Sequence, residues 1–292
     1  EGRSGDDILM IYTGGTTGMP KGVMWRQDDL IRATCATGLP MLLQDPDAVG
    51  GYDALLAAIA SPGSPGLPAC PLMHGTGWFT AHIYLCMAGS VVTLTDRRFN
   101  VIELLDTVER ERVGALTIVG DAFGKPILHA LDAEPGRWDL SSLALISSSG
   151  VMWSEAVKEG LLRHHPNMFL VDAFSSSEAI GLGQSTSAAG MEAKTARFTL
   201  GENAIVVTED GRKVEAGSGE KGRVAVGGHT PIGYYKDPEK SAATFLQIDG
   251  KRYSMPGDWA TVEADGTISL LGRGSVCINT GGEKVFPEEV EE

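Results

Sequence analysis

What most constrains the fold is an alternation, up to about residue 190, of short and uniformly apolar runs with longer amphipathic ones. Ile8-Leu9-Met10-Ile11-Tyr12, Val91-Val92-Thr93-Leu94, Leu116-Thr117-Ile118-Val119, Leu143-Ala144-Leu145-Ile146 and Met168-Phe169-Leu170-Val171 read as buried strands. Between them, Val101, Ile102, Leu104, Leu105 and Val108 recur at helical spacing, with Glu103, Asp106, Glu109 and Arg110 on the other side. Residues 122–131 and 154–165 follow the same rule, the second opening at Ser154 with Glu155 behind it. Strands apolar along their whole length, alternating with helices, predict an α/β fold. They imply a doubly wound, mostly parallel sheet with helices on both faces.

The pattern changes near residue 195. Ile205-Val206-Val207, Gly222-Arg223-Val224-Ala225-Val226 and Thr267-Ile268-Ser269-Leu270-Leu271 are separated by turns such as Glu209-Asp210-Gly211-Arg212 and Glu263-Ala264-Asp265-Gly266. This predicts a smaller antiparallel β-rich subdomain after an α/β subdomain over 1–195. Residues 44–70 form a Pro/Gly-rich insertion in a helical region.

With 24 basic and 38 acidic residues the net charge is −14, which argues against a nucleic-acid or anionic-membrane surface. No apolar run approaches the roughly 20 residues of a membrane span, so no stable membrane insertion is expected. Cys35, Cys70, Cys86 and Cys277 have no CxxC spacing and read as reduced core residues of a cytoplasmic protein. Glycine is abundant, 38 of 292 residues against a usual share of about 7%. Such an excess predicts tight turns and places where backbone lies close to a ligand.

The strongest chemical signal is Tyr12-Thr13-Gly14-Gly15-Thr16-Thr17-Gly18-Met19-Pro20-Lys21-Gly22, directly after a strand. Backbone N–H groups, threonine hydroxyls and one cation make a nest suited to a polyphosphate. A plain Gly-rich turn needs neither the threonines nor the lysine. Met19-Pro20 separates Gly18 from Lys21, so this is not the common P-loop.

The segment resembles the phosphate-binding loop of the adenylate-forming superfamily, which includes acyl-CoA synthetases, peptide-synthetase adenylation domains and luciferases. Gly14 replaces the serine of its Thr-Ser-Gly pattern. Other motifs follow in the superfamily's order. Pro71-Leu72-Met73-His74-Gly75-Thr76-Gly77 resembles Pro-Leu-Phe-His, Ser148-Ser149-Gly150-Val151 resembles the loop beside adenine, and Phe174-Ser175-Ser176-Ser177-Glu178 resembles Tyr-Gly-x-Thr-Glu. Gly257-Asp258 and Leu271-Gly272-Arg273 resemble the ribose-binding Gly-Asp and the Gly-Arg before a hinge. The run from Gly281 to Glu291 is similar to the start of a C-terminal domain, so 276–292 is expected to be the stub of that domain after a hinge near Ser275. On this resemblance the chain is a partial one. It lacks the beginning of the large N-terminal domain and most of the C-terminal domain with the superfamily's catalytic lysine, so this stretch alone is expected to adenylate weakly or not at all.

The resemblance implies ATP-dependent activation of a carboxylic acid to an acyl-adenylate with release of pyrophosphate, then thioester formation with coenzyme A. ATP or AMP, Mg²⁺ and coenzyme A are the implied cofactors and partners; a homodimer is admitted. Thr13, Gly14, Gly15, Thr16, Thr17, Gly18 and Lys21 would hold the β- and γ-phosphates, with Thr13, Lys21, His74 and Glu178 counted as catalytic. Glu178 would ligate Mg²⁺, which takes oxygen ligands and usually one or two carboxylates plus phosphate. Ser177 would bond the α-phosphate, with Ser175 and Ser176 beside it. Asp258 would accept the ribose hydroxyls, Arg273 would contact ribose or phosphate, and Phe174 would stack on adenine. Ser149, Gly150, Val151, Asp172 and Ala173 complete the nucleotide set. His74 would lie near the acyl carboxylate, while His82, His129, His164 and His165 read as packing residues. The run Lys236-Asp237-Pro238-Glu239-Lys240 reads as a solvated turn and helix start.

The acyl pocket is expected near 74–82, 122–125 and 174–183. Small residues dominate the last stretch and no cation stands in it, which favours an apolar acid. An amino acid would need an acidic partner for its amine; in and beside these stretches the acidic residues are Asp121, Asp172 and Glu178, of which Asp172 keeps that alternative open. The loop sequence and Ile278-Asn279-Thr280-Gly281-Gly282-Glu283-Lys284-Val285 are most similar to bacterial fatty-acid or steroid-side-chain acyl-CoA ligases. Two alternatives stand beside this reading. One is transfer to a carrier protein. The other is a nucleotide-binding pseudoenzyme, supported by serine instead of glycine at Ser149 and Ser175.

Overall fold

The computed structural model describes residues 2–14, 20–37, 50–51, 53, 57, 62–191, 196–273, 278–279 and 284–285. Gly15, Thr16, Thr17 and Gly18, much of the insertion, the hinge near Ser275 and most of the C-terminal stub lie outside the described residues. The elements run in chain order: β1 (Ile8–Thr13), β2 (Lys21–Arg26), α1 (Gln27–Thr37), β3 (Gly66–Pro68), α2 (Gly75–Cys86), α3 (Val101–Arg110), β4 (Ala115–Ile118), α4 (Gly120–Ala133), β5 (Leu145–Ser149), α5 (Glu155–His164) and β6 (Phe169–Ser176). There follow β7 (Ala179–Ser187), β8 (Arg197–Leu200), β9 (Ala204–Val207), β10 (Lys221–Val226), β11 (Gly233–Tyr234), α6 (Pro238–Thr244), β12 (Phe245–Ile248), β13 (Lys251–Ser254), β14 (Asp258–Val262) and β15 (Thr267–Arg273). They form two compact units. One comprises Thr34–Ala173 and Ser185–Thr195; the other comprises Glu1–Ala33, Phe174–Gln184 and Ala196–Glu292.

The first of these is the α/β unit. β3, β4, β5 and β6 pair in parallel, with Leu67 beside Leu116, Leu116 beside Ile146, and Ser148 beside Asp172. Strand side chains alternate between faces, and the two faces differ in chemistry. Leu67, Leu116, Ile118, Ile146 and Leu170 join one aliphatic core with Leu104, Leu105 and Val108 of α3, Ile127 of α4, and Val157 and Leu161 of α5. On the opposite face Thr117 carries a hydroxyl ladder. The Tyr84 hydroxyl of α2 lies 2.5 Å from Thr117 Oγ1, which lies 2.9 Å from Ser147 Oγ. Helices therefore cover both faces. Gly66 makes room for that tyrosine: a Cβ there would fall 2.2 Å from the Tyr84 ring.

Local chemistry places the helices. Asn100 caps α3, its Oδ1 accepting from the N–H groups of Ile102 and Glu103. Ser154 precedes α5 as expected, but its hydroxyl donates to Asp121 Oδ1 rather than capping. The apolar run at 91–94 is not a strand. Val91 makes one bridge to Gly66, after which Thr95 and Asp96 donate backbone N–H groups to Glu103 and turn the chain into α3.

In the other unit the predicted antiparallel subdomain is present. β9, β13 and β14 each pair with β10, β14 with β15, and β15 with β8, all antiparallel. Leu182, Val206, Val224, Ala260 and Ile268 form its core. The turns at 209–212 and 263–266 carry Gly211 and Gly266 at positive φ, where glycine is unstrained. The same unit holds the N-terminal hairpin. β1 pairs antiparallel with β2, and β11 adds a third strand. β1 is thus not a buried strand of a parallel sheet. Only Ile11 is buried, while Ile8 and Tyr12 are exposed.

Candidate active site

The hairpin defines the neck of the glycine- and threonine-rich loop. Its last register pair is Thr13 with Lys21, so the loop leaves and re-enters the sheet between these two residues. Gly14 is in open space. β2 pairs Val23 with Tyr234 of β11, and this brings the Lys21 ammonium to 5.5 Å from the Tyr234 ring centroid. Burial and the neighbouring Lys240 amine hold the Lys21 pKa below its ordinary value, with Glu178 and Asp237 pulling the other way.

Glu178 lies between β6 and β7 in a turn fixed from two sides. The Trp25 indole donates to the Ser177 carbonyl at 3.0 Å, and the Ser254 hydroxyl donates to the Glu178 carbonyl at 2.6 Å. The Glu178 side chain is buried, and its Oε1 accepts from the Tyr234 hydroxyl at 2.8 Å. Burial and the adjacent carboxylate push the Tyr234 pKa well above that of a free phenol, so it acts as a donor. Of the serines before Glu178, Ser175 accepts from the Gly181 N–H at 3.2 Å, and Ser176 Oγ is buried without a partner. The Phe174 ring packs in the β core, 5.5 Å from Phe198.

Asp258 and Arg273 face each other in register where β14 begins and β15 ends. Arg273 Nε donates to Asp258 Oδ1 at 3.2 Å, while Oδ2 is buried without a hydrogen-bond partner. Burial raises the Asp258 pKa, opposed by Arg273, and the charge of Glu178 raises it further. Lys21, Glu178 and the Asp258–Arg273 pair, far apart in sequence, are therefore gathered in one unit, with one orphaned oxygen, Asp258 Oδ2, among them and a second, Ser176 Oγ, in the same unit. An orphaned buried acceptor is costly unless a ligand completes it.

In the α/β unit, β5 ends at Ser149, paired with Ala173, and the chain turns at Gly150 with φ +98°. A Cβ at Gly150 would lie 3.8 Å from Thr76 Oγ1, so this turn adjoins the start of α2. Val151 is exposed. Asp172, opposite Ser148, pairs with Lys158 of α5 at 3.4 Å, and Lys158 is only 1% exposed. Burial pushes the Asp172 pKa up to about 6 despite the ammonium. His74 caps α2, its Nδ1 accepting from the Thr76 N–H at 3.3 Å, which places the proton of the neutral ring on Nε2. His82 stacks on Trp78, His164 bonds Asp132, and His165 bonds the Leu143 carbonyl, as expected of packing residues. Stretches 74–82 and 122–125 of the expected acyl pocket belong to this unit, and 174–183 to the other.

Sequence reasoning missed Tyr234, Lys158 and Lys240. Residues 236–240 do form a turn and helix start, with Asp237 capping α6 and Pro238 in its first turn. Lys240, however, is half-buried and acts on Lys21 instead of being merely solvated. Among the described residues no group of three or more His, Cys, Asp or Glu could hold a metal unaided. A lone buried carboxylate fits Mg²⁺, which takes its remaining oxygens from phosphate and water. Among the described residues no helix is long and apolar enough to cross a membrane. Among the described residues Cys70 and Cys86 form no disulfide, and burial raises the pKa of both thiols.

The family of the AMP-binding enzymes matches residues 2–235. A medium/long-chain-fatty-acid–CoA/3-oxocholest-4-en-26-oate–CoA ligase of Mycolicibacterium smegmatis is 43% identical over 299 aligned positions, covering 99% of this chain and 52% of that protein. A 3-oxocholest-4-en-26-oate–CoA ligase of Rhodococcus rhodochrous is 39% identical, covering 100% of this chain and 53% of its own. The chain spans about half the length of these curated relatives. Among solved structures, an O-succinylbenzoate coenzyme A synthetase from Bacillus subtilis in complex with AMP superposes with a TM-score of 0.74 at 23% identity, over 99% of this chain and 54% of that one. At that identity the likeness bears on the fold.

Proposed function

Because this chain belongs to the family of AMP-binding enzymes, we propose that the protein it represents is an AMP-forming acid–thiol ligase. It joins an apolar carboxylic acid to the α-phosphate of ATP and then passes the acyl group to coenzyme A. One observation carries the reading. A loop-neck lysine, a buried carboxylate and a buried aspartate with an unpartnered oxygen are gathered in a single unit.

In the first half-reaction an oxygen of the acid attacks the α-phosphorus, and the bond to the β-phosphate oxygen breaks. Pyrophosphate leaves with that electron pair. Little proton transfer is needed, so catalysis is mostly alignment and stabilisation of phosphate charge. Lys21 and Thr13, with the loop between them, hold the β- and γ-phosphates. Lys21 is suited to this because Lys240 supplies a second cation beside it. Glu178 would hold a magnesium ion, whose charge would offset that of the pyrophosphate. Ser177 bonds the α-phosphate, and the orphaned Ser176 hydroxyl is a second donor in the same turn. Asp258 Oδ2 accepts the ribose hydroxyls while Arg273 holds Oδ1.

In the α/β unit, the turn at 149–151 with Asp172 and Ala173 takes the base. It lies at the carboxyl ends of parallel strands, where open α/β sheets bind ligands. His74, with Nε2–H free to donate, takes the acyl carboxylate. In the second half-reaction the coenzyme A thiolate attacks the acyl carbon, and AMP leaves carrying the oxygen that came from the acid. The relatives' names support a fatty or steroid-side-chain acid and coenzyme A as acceptor. Four widely scattered cysteines with no CxxC spacing support a cytoplasmic setting.

The test is acid-dependent ATP–pyrophosphate exchange by the full reading frame, with medium-chain, long-chain, aromatic and steroid carboxylates. Exchange confined to apolar acids is expected. Tight ATP binding with no exchange for any acid would overturn the proposal in favour of a nucleotide-binding protein.

A further inference from the structure

Glu178 and Lys21 must both be available to an incoming magnesium–ATP, yet they are close enough for the carboxylate to act on the lysine's charge. In such a setting a carboxylate and an ammonium tend to neutralise each other directly. Among the described residues no ion pair joins them; Tyr234 stands between. Its hydroxyl donates to Glu178 Oε1 at 2.8 Å, and its ring lies beneath the Lys21 ammonium at 5.5 Å. We propose that Tyr234 is a positioning residue that holds the magnesium-binding carboxylate and the phosphate-binding lysine apart and correctly oriented.

The tyrosine is itself immobilised. It is 5% exposed. Its backbone N–H donates to Ser241 Oγ at 2.8 Å, and that hydroxyl in turn donates to the Asp237 carbonyl at 2.6 Å. β11 is hydrogen-bonded to β2, the strand that begins with Lys21, so ring and lysine share one scaffold. The phenol can only donate to the carboxylate beside it, which occupies Oε1 and leaves Oε2 for a metal. Hydrogen-bond partners of this kind, behind a metal-ligating side chain, set its orientation and its affinity for the metal. The aromatic face, meanwhile, receives Lys21 by a cation–π contact, which holds the ammonium without a carboxylate pairing to it directly.

The inference rests on the proposed function, and the experiment separates the two. Binding of ATP is measured by calorimetry on the full-length protein with and without divalent ion, and Mn²⁺ binding in the presence of ATP by paramagnetic resonance. Tyr234→Phe keeps the ring and removes the hydroxyl. It is expected to weaken Mn²⁺ affinity in the ATP complex about tenfold, while metal-free ATP affinity changes less than about twofold. Tyr234→Leu removes the spacer as well and is expected to weaken both, because Glu178 then pairs with Lys21. In a Glu178→Gln background, Tyr234→Phe should cost almost nothing further in Mn²⁺ affinity, since the two act as one unit. If Tyr234→Phe lowers the melting temperature but binds Mn²⁺–ATP like the parent, the tyrosine is only a packing residue and the inference fails. Independent, additive losses in the Glu178→Gln background overturn it equally. Failure of the unaltered protein to bind Mn²⁺–ATP at all would instead overturn the functional reading.

Discussion

Substituting Asp258 by asparagine should move nucleotide binding and fold stability in different directions. Arg273 can donate only to an oxygen, so it holds the amide oxygen of the new side chain at the Oδ1 position and forces the NH₂ group into the place of Oδ2. The buried, unpartnered acceptor becomes a buried donor. A ribose hydroxyl that donated to a carboxylate then meets an N–H group. Hydrogen bonds to a charged partner contribute about 1.5–3 kcal/mol, so ATP affinity should fall roughly 10- to 150-fold. The fold should respond otherwise. Burial raises the Asp258 pKa against the pull of Arg273, so the ionised carboxylate costs stability at neutral pH. Removing that charge should leave the unfolding free energy unchanged or higher. Calorimetry with ATP and with 2′,3′-dideoxy-ATP, and urea unfolding at pH 7.5, are the assays. The unaltered protein should discriminate between the two nucleotides, and Asp258→Asn should not. Equal loss of affinity for both nucleotides, or a less stable variant that still discriminates, would refute the reasoning.

Three further outcomes follow from the same geometry. The Asp172 pKa is raised from 3.8 to about 6, so its ionisation opposes folding; stability from this group is greatest below pH 4 and is lost as pH rises through about 6, a span of about 3 kcal/mol. Asp172→Asn should flatten that part of a pH series of urea unfolding curves, and an unchanged slope would contradict it. Gly66→Ala should cost about 1–3 kcal/mol by forcing the Tyr84 ring aside, and Tyr84→Leu should remove most of that penalty; additive losses would contradict the clash. Lys240→Gln should raise the Lys21 pKa, read from the ¹³Cε shift of the lysine methylene, because a neighbouring cation is gone; a fall would contradict it.

Much of the candidate site's geometry was legible because its residues sit in local motifs. Asp258 and Arg273 begin and end a hairpin whose Glu-Ala-Asp-Gly turn is plain in the sequence, so their register follows once the turn is read. Glu178 announces itself by the serines before it. Tyr234 does not. In Gly-Tyr-Tyr-Lys-Asp-Pro-Glu every cue marks a turn, and the burial of one tyrosine depends on β11 pairing with β2, some 200 residues away. The same limit applies to β1. An unbroken apolar run matches a strand buried on both faces, yet Ile8 and Tyr12 stay exposed because their neighbours are β2 and solvent. Val91-Val92-Thr93-Leu94 has the composition of a strand, but Glu103 captures the backbone just beyond it. The grouping of the N-terminal hairpin with strands after residue 196 is a long-range fact that periodicity does not encode.

The most direct test of acyl-adenylate formation is to follow the acid's own oxygen. The full reading frame would be supplied with a fatty or steroid carboxylic acid labelled with ¹⁸O in both carboxyl oxygens, together with ATP, Mg²⁺ and coenzyme A, and the products read by mass spectrometry. One ¹⁸O in AMP and none in pyrophosphate is the predicted result. Label in inorganic phosphate with ADP formed, or thioester formed with unlabelled AMP, would contradict the account.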